Sequence, residues 1–141
     1  MESSRLFVIA FALNLAWEMV QMRAYAGISW ISLPSSAICS AAAIGDSTYI
    51  LLLYWAGHRL SADKAWISRI TPIRLLVILA VGFLVAVTLE RIALLASLWQ
   101  YASSMPRIPG IQVGLWPVLQ LMTLPLAAFW VASRWERSSQ R

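Results

Sequence analysis

Asn14, Glu18 and Gln21 fall at i, i+4 and i+7 inside a long apolar run, so a helix there carries one amide–carboxyl–amide stripe on a single face. Two more acids, Asp46 and Glu90, and a further amide, Gln120, sit inside later apolar runs. In a bilayer each such acid costs about 2.5–3.5 kcal/mol unless it faces a partner, a cavity or a ligand. Set against one or two arginines at that depth, three acids leave one carboxyl holding its proton. A neutral carboxylic acid in an apolar, aromatic-lined cleft is what protonation of an alkene or epoxide requires, and a second carboxylate can accept the proton afterwards. The candidate catalytic residues are therefore Glu18, Asp46 and Glu90. Asn14, Trp17, Gln21, Tyr49, Arg91, Trp99, Tyr101 and Gln120 are candidates for binding substrate, the aromatics as lining or cation-stabilising groups.

The same residues support two other readings. The carboxyls could relay protons in a small carrier or channel, or the polar side chains could fix helix packing in a structural or accessory subunit. Between Arg74 and Leu89 only Gly82 and Thr88 depart from strongly apolar character, and the first run has nothing polar ahead of Asn14. A conducting path would then need the interface of a homo-oligomer. His58, the single histidine, reads as a helix-end residue on the side away from the acids, and three carboxylates without histidine make a poor zinc or iron site. With no glycine-rich phosphate loop, serine–histidine pair or nucleotide motif either, neither metal nor cofactor is expected.

The elements that must position these side chains follow from composition. Of 141 residues 60% are apolar and 12% charged, about half the charge of a soluble domain, and the mean hydropathy is +0.72. This predicts one all-α integral membrane domain over 1–141, a four-helix bundle with helices at about 6–26, 35–56, 73–98 and 115–132. Arg5, the run 6–17 and Ala24-Tyr25-Ala26 also fit a cleavable leader, but Glu18 and Arg23 ahead of that site count against it. The small residues from Ser40 to Gly45 predict close helix approach, Trp66-Ile67 a surface-lying segment, Pro117 a helix first turn, Pro125 a kink, and 133–141 a frayed basic tail. Trp30 reads as an interface anchor. Between helices 3 and 4, two prolines and two glycines over 106–114 predict a structured loop.

A net charge of +5 does not imply nucleic acid, because the basic residues are scattered over loops and ends. Eight of them (Arg5, Arg59, Lys64, Arg69, Arg74, Arg134, Arg137 and Arg141) fall on one side and two (Arg23 and Arg107) on the other, which predicts both termini in the cytoplasm and the 99–114 loop outside. Glu18, Asp46, Glu90 and Gln120 then converge between mid-bilayer and the outer interface, beneath that loop.

Asn14-x-x-Trp17-Glu18 resembles the N-x-x-W-E motif of the membrane-bound terpene cyclases of meroterpenoid and indole-diterpene pathways. The resemblance implies that Glu18 protonates a polyprenyl epoxide or alkene, with Asn14 and Trp17 in support. Those cyclases have about seven helices, so a four-helix chain must build its pocket differently or dimerise. The wider pattern, including Gly45-Asp46, Glu90, Trp99-x-Tyr101, Pro109-Gly110 and Gln120, is similar to small bacterial inner-membrane proteins. The expectation is a bacterial inner-membrane enzyme acting on an isoprenoid or other lipid, cyclase or isomerase in type.

Overall fold

The computed structural model describes residues 2–27, 33–61 and 66–139. Trp30, Asp63 and Lys64 lie outside them. It is 79% helical, with no strand among the described residues. Four helices form: α1 (Ser3–Gln21, continued by a 3-10 turn Met22–Ala24), α2 (Leu33–Leu60), α3 (Pro72–Leu95) and α4 (Leu115–Ser139). All four are long and apolar enough to cross a membrane. Large apolar side chains such as Val8, Leu52, Leu76 and Leu84 point outward, as lipid-facing positions do.

The helices pack in the order α2–α1–α4–α3, while α2 and α3 scarcely touch. Half of the apolar span of α4 is buried, against 17–22% in the others, so α4 is the central element. Each partner offers a stripe spaced by three or four residues: Leu6, Ala10, Asn14, Glu18 and Gln21 on α1, and Ile78, Gly82, Ala86, Glu90 and Ala93 on α3. Gly82 is where α3 meets α4 most closely, for a Cβ there would collide with the Leu121 carbonyl oxygen. Pro125, buried in α4, has no N–H to donate to that same carbonyl four residues back, which leaves the oxygen turned toward Gly82. In the small-residue stretch of α2 it is Ala43 that is fully buried, whereas Gly45 has open space around it.

At the end carrying both termini, Trp66 and Ile67 are buried instead of lying on a surface. The Trp66 ring sits 5.3 Å from Phe129 edge-on and 6.3 Å from Tyr54, with centroids as the measure. Gly57 makes this insertion fit, because a Cβ there would overlap the Trp66 ring. With Leu6, Ala10, Ile50, Ile78 and Leu124 these rings close that half of the molecule as an apolar core. The tail read as frayed instead extends α4 to Ser139, and Ser133 within it is buried.

Candidate functional site

At the opposite end, α3 stops earlier than the apolar run does. Ser97 takes a left-handed conformation (φ 54°), and the bonds Leu98 N–H to Ala93 O (3.0 Å) and Ser97 N–H to Leu94 O (3.1 Å) close a Schellman turn. The chain then doubles back: Ala26 N–H donates to Gln100 O (2.8 Å) and Ala102 N–H to Ala24 O (2.9 Å), so 24–26 and 100–102 run side by side. Beyond them 106–115 folds on itself, with Ile108 N–H bonded to Val113 O and Leu115 N–H to Pro106 O, both at 2.8 Å, and Gly110 at φ 85°. This turning back brings Trp99 and Tyr101 over Glu90.

Three donors converge on the buried Glu90 carboxyl: Tyr25 Oη and Trp99 Nε1, both at 3.4 Å, and Tyr101 Oη in a short bond. Tyr101 Oη in turn accepts the Gly114 N–H at 2.9 Å, and the Arg107 guanidinium lies 5.4 Å from the centre of its ring. Burial first, then the neighbouring Glu90, pushes both phenols above the usual tyrosine range. Tyr25 and Tyr101 are therefore held as O–H donors.

A second cluster is centred on Gln120 of α4. Its Nε2 donates toward Asn14 Oδ1 (3.1 Å), Glu18 Oε1 (3.0 Å) and Asp46 Oδ2 (2.7 Å). Gln21 Nε2 donates to Gln120 Oε1 (2.8 Å) and Glu18 Oε1 (2.9 Å), and Trp17 Nε1 donates to Gln21 Oε1 (3.1 Å). Asn14 is fixed by its own bond to Ala10 O (2.9 Å). An amide nitrogen has two hydrogens, so the three acceptors around Gln120 Nε2 share them, with one hydrogen bifurcated between two oxygens.

Glu18, Asp46 and Glu90 line one cavity of about 80 Å³, together with Gln21, Tyr25, Trp99 and Gln120. At about 10–15 Å³ per water centre it holds a handful of waters or a small part of a larger ligand. None of the described residues that line it is basic. Ile38 is both a wall of the cavity and 45% exposed on α2, so the space reaches the outer surface beside the open α2–α3 face. Among the described residues, no three His, Cys, Asp or Glu are grouped to hold a metal ion.

The sequence-predicted residues divide accordingly. Glu18, Asp46, Gln21, Asn14 and Gln120 meet in one network; Glu90, Trp99 and Tyr101 form the other wall. Trp17 supports Gln21 from behind. Tyr49 packs between two apolar clusters with its hydroxyl buried and unbonded. Arg91 is exposed and faces away from the cavity, since adjacent helix positions lie about 100° apart. Tyr25 was not singled out in the sequence, where it reads as part of a leader-like Ala-x-Ala. Cys39 and Ala42, also in the wall, sit seven and four residues before Asp46 on the same helix face, a spacing that could have found them. No family model, curated protein or solved structure matches the chain.

Proposed function

We propose that this chain is an integral membrane enzyme that acts on an isoprenoid or other lipid by carboxyl acid–base chemistry, cyclase or isomerase in type. The observation that carries the reading is that Glu18 and Asp46, from different helices, meet on the single nitrogen of Gln120 at the wall of a cavity that reaches the outer surface. Two like charges one amide apart, with no basic residue in the described lining of the cavity, repel, so the pair holds a proton between them. That O–H adds its proton to a substrate double bond, leaving a carbocation that the Tyr25 and Trp99 rings and the Glu90 carboxyl stabilise. Loss of a proton from a neighbouring carbon to a carboxylate restores an alkene, either shifted or, after internal attack by a second double bond, in a ring. Atoms and charge balance without a cofactor. The reacting part of the substrate occupies the cavity while its chain lies along the open α2–α3 face. Both termini lie in the cytoplasm and the 96–114 segment outside, on the eight-to-two distribution of basic residues, in a bacterial inner membrane. The apolar core around Trp66 and Phe129 blocks the way from the cavity to the cytoplasmic end, which favours an enzyme over a proton relay.

Glu18→Gln, near in size and still able to accept the Gln21 and Gln120 bonds, tests this. Lipid extracted from gently purified protein and weighed by mass spectrometry is expected to include a specific isoprenoid or other lipid that accumulates in the variant. If wild type and Glu18→Gln carry the same bulk phospholipid and nothing else, the enzyme reading fails.

A further inference from the structure

Behind the α1–α4 contact, on the other side of Gln21 from the cavity, lies an open groove of about 340 Å³ walled by Trp17, Val20, Arg23, Ser104 and Trp116. It has two chemically different ends. Arg23 and the Trp116 indole N–H are donors with no hydrogen-bond or ion-pair partner among the described residues, and no acid lines the groove. Along the wall away from them run Trp17 and Val20, the latter 78% exposed. The apolar span of α1 ends at Ala24 and that of α4 begins at Leu115, so the donor end sits where hydrocarbon gives way to headgroups.

We infer that this groove binds one anionic phospholipid, its phosphate on Arg23 and the Trp116 N–H and its acyl chain along Val20 and Trp17. A guanidinium with no acid beside it is matched by a phosphate, and only a phosphate attached to a chain also covers the exposed apolar wall. The bound lipid braces Trp17, whose indole holds Gln21 against Gln120, from the side opposite the carboxyls. The inference is independent of the proposed chemistry, since Arg23 and Trp116 do not line the cavity.

The test is native mass spectrometry of the full chain in neutral detergent, titrated with phosphatidylglycerol or with phosphatidylcholine of the same acyl chains. The wild type is expected to retain one phosphatidylglycerol in preference, and Arg23→Gln to weaken it roughly five- to tenfold while leaving phosphatidylcholine unchanged. Arg107→Gln, at the same end of the molecule, and Glu18→Gln should both retain it as wild type does. Should Arg23→Gln fail to fold, Trp116→Phe keeps the bulk, removes one donor, and should weaken retention about two- to threefold. Equal retention of the two lipids by wild type, or unchanged phosphatidylglycerol retention in whichever variant folds, overturns the inference. So does full displacement by millimolar inorganic phosphate, which would make the occupant a free anion.

Discussion

The two halves of this molecule are held together by different physics. At the end with the termini, Tyr54, Trp66 and Phe129 interlock in an apolar core, and the bond from Trp55 Nε1 to Ser3 Oγ (3.1 Å) between α2 and α1 lies on the exposed surface; at the other, Gln120 of α4 reaches both α1 and α2 through side-chain hydrogen bonds. Among lipid chains an apolar contact gains little over lipid itself, so the first half depends on shape, on Gly57 leaving room for a tryptophan. The second half exchanges shape for satisfied polar groups and keeps a cavity that close packing would have eliminated. The space that persists beside three acids is the candidate site, whereas the filled half is its foundation. Substitutions that separate foundation from site are the way to test this division.

The largest loss of stability is expected in the foundation. Trp66→Ala removes a buried ring and should cost about 3–5 kcal/mol, lowering the thermal midpoint in detergent by on the order of 10 °C. It should leave the retained phosphatidylglycerol unchanged, because the groove lies at the other end. If lipid retention collapses while the midpoint holds, the two halves are not separable as described.

Gln120→Leu makes the converse break. The volume is nearly kept, but Asn14, Glu18, Gln21 and Asp46 each lose a partner, so the cost should be about 2–4 kcal/mol. Unlike Trp66→Ala it should also abolish any difference in bound lipid between the wild-type Glu18 background and Glu18→Gln, since the carboxyl pair no longer shares an amide. A Gln120→Leu protein as stable as wild type would mean that the network is incidental.

The elements of this arrangement were unevenly legible in the sequence. Four apolar runs and the 14–18–21 stripe follow from length and helical period, and the structure places that stripe on the buried face of α1. The end of α3 was not legible: it rests on Ser97 in a left-handed turn, a place where glycine is the usual signal, and the apolar run simply continues past it. Small residues marked close approach at Ser40–Gly45, where Ala43 is fully buried and α2 packs on α1, but the tight contact at Gly82 was not marked, because it depends on a carbonyl released by Pro125 on another helix. Arg91 seemed a natural counter-charge for the acids, and only the rotation of α3 shows that aiming Glu90 inward turns Arg91 out. Tyr25 became a wall of the site through pairing between 24–26 and 100–102, a long-range contact that no local pattern announces.

The smallest effect expected is at the lip of the site, in Tyr101→Phe. Glu90 loses one donor of three and the Gly114 N–H loses its acceptor, which together should cost about 1–2 kcal/mol at neutral pH. The pH dependence gives the sharper readout. Tyr101 and Tyr25 titrate above their usual range in the folded protein, so the folded state keeps protons that the unfolded chain releases above about pH 10. Stability should therefore be level in this respect below about pH 10 and fall as pH rises beyond it. Tyr101→Phe removes one of the two phenols, so its midpoint should start lower at pH 7 and decline less steeply between pH 10 and 11. Thermal scans across that range, paired with tyrosinate absorbance, measure both. A variant that declines as steeply as wild type would place the Tyr101 hydroxyl in water instead of on Glu90, and the wall that closes the cavity beneath the 96–114 segment would have to be drawn without it.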